Sequence, residues 1–366
     1  MKRDNISIYK GDWKLLIEGL ILKCCEQIKA RRTTAAIFHI LTGKKSIQTV
    51  QDTHLYDLAL FYGIDKSLRK NTFHELIRHL EQKALISVDE SSCFQLTSQG
   101  DRWLLEHESR LALNHFNGLS YHALAPVFSE RLLLLVQILT NSSMQNYSFI
   151  PIVDKKTVQV WVKSFYKTLK WNETTYLHYL HDELHTLLSM LPDKEASIFV
   201  DRLTGYRSYG KSMQQLAYRY QIPSMDIKLV WTCIIHRMLS VIQSKPTDYQ
   251  LLHAIIQDAE QRSFITESAK HTHHLLQRHY SVETIAAMRK LKRNTIYDHI
   301  VEIALVDSTF PVSSFVTDEQ YNEIIEAIER TKTYSLKQLK DAVADEISYF
   351  QIRLVLATIK TKKVKS

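Results

Sequence analysis

Apolar residues along this chain recur mainly at the three- and four-residue spacing of helices, with strand-like alternation confined to one short stretch. The sharpest pattern lies between His279 and Leu305. Ser281 supplies a helix N-cap, its hydroxyl able to accept an orphan backbone N–H, and Ile285 and Ala286 point inward one turn later. Ala286 is small enough to let a second helix approach, and Leu291 plugs the turn. A new helix is predicted from about Asn294–Thr295, with Ile296, Ile300 and Ile303 on one face. This is a helix-turn-helix, a unit that typically presents the N-terminus of its second helix to nucleic acid.

The same pattern occurs 69 residues earlier. Ser212, Leu216, Ala217, Ile222, Ile227 and Ile234 correspond in type to Ser281, Ile285, Ala286, Leu291, Ile296 and Ile303. Residues 212–237 are therefore expected to form a second, more degenerate helix-turn-helix.

Elsewhere the periodicity predicts one helix from Trp13 to about Ile40, striped by Leu15, Leu16, Leu20 and Ile21, then helical pieces around His54–Phe61 and Thr72–Lys83. LISV and CFQLT follow as short strands flanking the polar Asp89–Ser92. Three helices and a hairpin are the order of a winged helix, and equally of other small α+β domains. From Asp101 to Leu191 the chain reads as helical, broken near Pro126 and around Asn141–Pro151. Tyr249–Thr272 is expected to supply a linking helix. Asp318–Thr331 and Ser335–Asp345 then precede a last helix carrying Ile352, Leu354, Val355 and Ile359. The expected architecture is mainly α: a winged helix with a small β-hairpin over 1–105, a helical middle over 106–250 with the degenerate helix-turn-helix at 205–240, and a C-terminal helix-turn-helix domain over 251–366.

Composition agrees with this and adds a partner. A chain of 366 residues can hold two or three cores, and its 8 glycines and 6 prolines argue against turn-rich sheets. The formal charge of +8 favours a polyanion. Arg289, Lys290, Lys292 and Arg293 crowd the start of the second helix and, with Asn294, Thr295 and Tyr297, form a candidate DNA surface. Asp298 and Glu302 are expected on the outward face of that helix, where they would repel phosphates. The tail lysines Lys360, Lys362, Lys363 and Lys365 read as a solvated end. Four cysteines without a C-x-x-C pair, two of them adjacent as Cys24–Cys25, fit neither a disulfide framework nor a structural zinc site, and point to a reducing cytoplasm. The start of the chain lacks an apolar signal core and the greasiest run, Leu132–Val136, is too short to span a bilayer, so no membrane partner is expected.

Other motifs suggest chemistry. Gly205-Tyr-Arg-Ser-Tyr-Gly210-Lys211-Ser212 satisfies the phosphate-loop pattern, in which glycine amides wrap phosphates after a buried strand while Lys and hydroxyl serve phosphate and Mg²⁺. Yet Asp201-Arg202 follows the apolar Ile198–Val200, two tyrosines crowd the loop, and Gly210 and Ser212 are already accounted for as turn residue and N-cap. His181-Asp-Glu-Leu-His185 places two imidazoles at i, i+4, with Asp182 where a zinc protease needs Glu and no third ligand evident. His271, His273, His274 and His279 cluster without ligand spacing. The aromatics Trp161, Phe165, Tyr166, Trp171, Tyr176 and Tyr179 lie at helical spacing and read as core. No nucleophile and base can be paired, and no cofactor or metal is expected.

Residues 281–300, SVETIAAMRKLKRNTIYDHI, with DEISYFQIRLVLATI (345–359), resemble the helicase helix-turn-helix domain at the C-terminus of some RecQ-type DNA helicases. Tyr349, Ile352, Arg353 and Leu356 match it in type and spacing, and the likeness runs from roughly 265 to 360. Residues 41–86 and 94–100 resemble the RQC winged helix of the same helicases, through Gly43, His54, Leu58, Tyr62, Gly63, Leu76, Ile77, Leu80, Leu96 and Gly100. That resemblance implies a domain that binds duplex DNA at a fork. Lys44, Lys45, Arg69 and Lys70 would grip the backbone. The short acidic wing Asp89-Glu-Ser-Ser, without an aromatic tip, is a poor strand-separating wedge. Neither the helicase ATPase motifs nor the family's four-cysteine zinc module is found in the sequence.

The expectation is therefore a non-enzymatic, cytoplasmic DNA-binding accessory protein that holds duplex or fork DNA beside a separate RecQ-like helicase, in repair or recombination. Two alternatives stand beside it: a P-loop NTPase using Gly205, Gly210, Lys211 and Ser212, and a protein-interaction adaptor without DNA affinity.

Overall fold

A computed structural model describes residues 15–29, 31–90, 93–169, 173–260, 265–307 and 309–363, with the side chains of 173 and 360–363 left aside. Trp13, the Ser91–Ser92 tip of the expected wing, Trp171 and the tail-lysine side chains lie outside the described residues.

The chain opens with α1 (Leu16–Ile28), α2 (Thr34–Thr42), α3 (Ile47–Leu55) and α4 (Lys70–Gln82). The antiparallel pair β1 (Ile86–Val88) and β2 (Phe94–Leu96) follows, in the register Ile86↔Leu96, Ser87↔Gln95 and Val88↔Phe94. Helix α5 (Ser98–Leu111) closes the domain, capped by the Thr97 hydroxyl on the Gly100 N–H. This is the expected winged helix, with two corrections. The single helix predicted from Trp13 to Ile40 is broken, because Lys29 takes a left-handed conformation and a polar turn precedes α2. The piece expected at His54–Phe61 is the end of α3 followed by a 3-10 turn at Ala59–Phe61.

The middle contains α6 (Gly118–Tyr121), α7 (Leu124–Ser142), α8 (Lys156–Thr168), α9 (Glu173–Leu188), α10 (Asp193–Arg202), α11 (Met213–Tyr220), α12 (Ser224–Ser244), α13 (Gln250–Ala254) and α14 (Gln257–Glu260). Pro126 does not break the chain. It sits in the first turn of α7, where backbone N–H groups have no helical partner to lose. Among the described helices, α7 alone is long and apolar enough to cross a membrane, and 72% of its most apolar window is buried within the fold.

The last third comprises α15 (Glu267–Gln277), α16 (Val282–Arg289), α17 (Arg293–Val306), α18 (Asp318–Thr331), α19 (Leu336–Lys340) and α20 (Tyr349–Lys363). Ile296, Ile300 and Ile303 of α17 are fully buried, each contributing roughly 2 kcal/mol by removal from water. Helix α19 is shorter than the predicted 335–345. The expected boundary at residue 105 falls inside α5, and that at 250 falls at the start of α13.

Candidate nucleic-acid interface

The two helix-turn-helix units repeat in backbone detail as well as in sequence. Ser212 and Ser281 both cap through their hydroxyls, on Gln215 N and Thr284 N. Gln221 (φ 52, ψ 43) and Lys290 (φ 53, ψ 41) both end the first helix in the left-handed conformation. Ile222 N and Leu291 N then donate to Ala217 O and Ala286 O, each at 3.0 Å, which seats the plug of each turn. Each unit also packs on a preceding helix, α10 or α15.

What differs is where the second helix starts. In the middle unit Asp226, near the N-terminus of α12, is 1% exposed and accepts the Ile17 N–H at 2.9 Å, so this end is spent capping α1. In the C-terminal unit the equivalent end is open. Lys292 is the exposed N-cap of α17, Arg293 and Asn294 are exposed, and Thr295 is half-buried. Helix N-termini and basic side chains together favour phosphate.

Arg293 pairs with Glu283 at 2.9 Å, both more than half exposed to solvent. Its guanidinium also lies 5.5 Å from the Tyr297 ring. Tyr297 itself is stacked on Phe350 at 4.0 Å, so much of that ring is spent on packing against α20. Lys290 is exposed.

Two sequence expectations need correcting here. Asp298 and Glu302 do not front the candidate surface: Asp298 pairs with Arg353 of α20 at 2.8 Å, and Glu302 accepts from Thr266 N at 2.5 Å, capping the approach to α15. Arg289, expected to face DNA, turns inward. Its Nη1 donates to Ser268 O at 2.7 Å and to Thr272 Oγ1, and Nη2 donates to Ser268 Oγ at 2.9 Å, tying α16 to α15. Burial and this nearby guanidinium hold His299 below the usual histidine range.

On the winged helix, the turn carrying Lys44 and Lys45 is set by Gly43 at φ +67, where a Cβ would come within 2.8 Å of Gly63 Cα. Both lysines are exposed, as are Arg69, the N-cap of α4, and Lys70, its first residue. Among the described residues none of these four forms an ion pair with a carboxylate. Lys44 Nζ lies 3.5 Å from His39 Nε2, and burial together with Lys44 and Lys70 lowers the His39 pKa. Lys66 is exposed on the neighbouring loop, and no local motif marks it. At the wing, Asp89 Oδ1 accepts Cys93 N at 2.8 Å, closing the hairpin on an acidic residue.

The phosphate-loop reading of Gly205–Ser212 does not survive. The segment before it is helix α10, where a phosphate loop needs a buried strand, and Gly205 and Ser208 bond to each other in a tight turn. Lys211 Nζ is bound to Asp201 at 3.0 Å, and the Ser212 hydroxyl is held in a capping box with Gln215. Gly210 is needed because a Cβ there would lie 2.2 Å from Arg202 O. Burial would raise the Asp201 carboxyl, but hydrogen bonds from Lys211 and Tyr220 and the charges of Lys211 and Arg219 hold it below its ordinary value.

His181 and His185 stack at 5.9 Å on an exposed face. Glu183 between them caps α13 by accepting Leu251 N and Leu252 N, both at 2.9 Å. Among the described residues no group of three or more His, Cys, Asp or Glu side chains is placed to hold a metal. The middle aromatics are largely structural: Trp161 stacks on Phe165, and Arg131 lies 3.7 Å over the Trp161 ring while pairing with Asp258 at 2.6 Å.

Comparison with known proteins agrees with the geometry. Residues 19–115 match the RQC domain and residues 268–356 match a helix-turn-helix domain. Fold and modules together define a RecQ-related DNA-binding accessory protein. The chain is 31% identical over 351 residues to Protein YpbB of Bacillus subtilis (strain 168), covering 94% of this chain and 97% of that protein, and it belongs to the YpbB family. No solved structure matches it.

Proposed function

We propose that this protein is a non-enzymatic cytoplasmic factor that holds duplex or forked DNA and supplies affinity and orientation to a separate RecQ-like helicase in repair or recombination. Lys44, Lys45, Arg69 and Lys70 of the winged helix would contact one stretch of backbone. Lys290, Lys292, Arg293, Asn294 and Thr295 would contact another, with Tyr297 at the edge and Arg289 positioning α16 from behind. The observation that carries this reading is the open N-terminus of α17, with Lys292 and Arg293 exposed and the acids Asp298 and Glu302 engaged elsewhere in the fold. Phosphate contacts would dominate, so affinity should fall steeply with salt.

The second helix of the middle unit starts against α1 and is not free to enter a groove. Fluorescence anisotropy of the full chain with labelled single-stranded, duplex and forked DNA tests the proposal. Saturable binding to duplex or fork at low salt is expected; no binding to any of them would overturn it.

A further inference from the structure

We propose that the middle helical region carries part of the phosphate track: Lys155 and Lys228 join Lys45 and Lys66 in one lysine surface that grips duplex backbone beyond the winged helix. This rests on the DNA-binding reading above and extends it to residues that neither matched module contains.

Backbone hydrogen bonds build the surface. Gly63 N donates to Ile40 O at 2.7 Å and Asp65 N to Leu41 O at 2.9 Å, which lays the loop ending in Lys66 beside the turn carrying Lys44 and Lys45. Lys66 then reaches out of its own domain, its Nζ donating to His122 O at 2.7 Å just after α6. Lys155, the residue before α8, stands close enough that its charge, with that of Lys45, adds to burial in lowering the Lys66 pKa. From the other side Lys228, near the start of α12, places Nζ 3.2 Å from Ser67 Oγ, on the residue next to Lys66. Lys66 and Lys228 thus meet at one loop beside the turn of Lys45, with Lys155 within electrostatic reach of it.

Their neighbourhood leaves them largely uncompensated. Lys45, Lys66 and Lys228 form no ion pair among the described residues, and all three are exposed. Lys155 pairs with Glu130 at 3.1 Å in an exposed contact, worth little in water. The acid nearest Lys66 in sequence, Asp65, is 8% exposed and turned onto Ser67, accepting from its N–H at 3.0 Å and its hydroxyl at 2.8 Å. Like charges gathered with one exposed ion pair among them repel one another, and a polyanion along the surface would relieve that repulsion while releasing its own counterions.

The repeat explains why the middle unit can serve in this way without reading a groove. Lys228 stands at the position of Tyr297 in the C-terminal unit, 69 residues on. There the outward position packs against α20, whereas here it faces the winged helix and brings a charge to its loop.

The test is duplex binding by the full chain across a salt series, comparing wild type with Lys155→Gln/Lys228→Gln and with the charge-keeping Lys155→Arg/Lys228→Arg. Loss of two phosphate contacts should make the log–log salt slope shallower by about 1.8 and weaken low-salt binding by roughly tenfold, while the arginine pair keeps the wild-type slope. Lys45→Gln/Lys66→Gln reads the same track from the winged-helix side and should give a similar change. Wild-type slope and affinity in the glutamine pair would overturn this inference alone, provided wild type binds duplex. If wild type binds no duplex, this inference falls; the DNA-binding reading falls with it only when forked DNA is not bound either.

Discussion

The side-chain amide of Gln51 on α3 donates to the Arg353 carbonyl on α20 at 2.9 Å, a hydrogen bond between residues 302 positions apart. Around it Asp52 accepts three short hydrogen bonds from Arg32 and one from Gln48, and the Tyr56 ring meets Tyr334 edge-on at 5.8 Å. The two modules that resemble parts of RecQ helicases are therefore bound to each other through a buried polar seam.

Asp52 is 3% exposed, so Asp52→Ala leaves Arg32 without its counter-ion and should cost about 3 kcal/mol. Both modules should lose stability together. Thermal unfolding followed by circular dichroism and by tryptophan fluorescence should show one shifted transition. Independent melting of the C-terminal module at its unchanged temperature would contradict the seam.

Arg289 and its basic neighbours should separate cleanly. Arg289→Ala removes charge-assisted hydrogen bonds to Ser268 and Thr272 and should cost about 1.5–3 kcal/mol in urea unfolding. The salt slope of DNA binding should stay unchanged in that variant. A slope lowered as in a phosphate-contact variant, with stability intact, would return Arg289 to the DNA surface.

Much of this was legible because the signals are local. Ser281 as a cap, Leu291 as a plug, and Ile296, Ile300 and Ile303 as a buried face lie within a few turns of one another, and the 69-residue echo extends to the left-handed Gln221 and Lys290. The hairpin and most of the C-terminal helices followed from the same periodicity, whereas the winged helix was singled out by the family resemblance. What could not be read were partners distant in sequence. Nothing around Asp226 announces that it caps Ile17, 209 residues away. Asp298 looked like an outward charge until α20 brought Arg353 to it, and Lys66 joins the basic surface only through the Gly63 and Asp65 hydrogen bonds. Helical spacing predicts a face; it does not say what that face meets.

Lys211→Ala should leave nucleotide titrations as flat as those of wild type. The lysine is already held by Asp201 in a partly exposed ion pair, and its removal should cost at most about 1 kcal/mol. Saturable Mg²⁺-dependent ATP binding lost in this variant would restore the phosphate-loop reading.

Acid should weaken the fold through its buried histidines. His236 accepts Asn117 N at 3.0 Å, its Nε2 has no partner among the described residues, and burial, with a smaller effect of His122, lowers its pKa to about 3. Because the folded pKa lies below the unfolded value near 6.5, the unfolded chain binds the extra proton between them. Stability is then full above about pH 6.5 and falls as pH drops toward 3, by up to about 1.4 kcal/mol per unit for this residue. His236→Asn can keep the acceptor for Asn117 and removes the titration, so its denaturation midpoint should lose less between pH 7 and pH 5 than wild type. Equal losses would assign the acid sensitivity to other groups.

If the open start of α17 meets a sugar–phosphate backbone, the salt dependence of fork-DNA affinity must change in Lys292→Ala/Arg293→Ala. Loss of those two cations should make the log–log slope shallower by about 1.8, with the melting temperature unchanged. A variant that binds as tightly, and with the same slope, as the wild type would show that DNA does not reach this end of the helix.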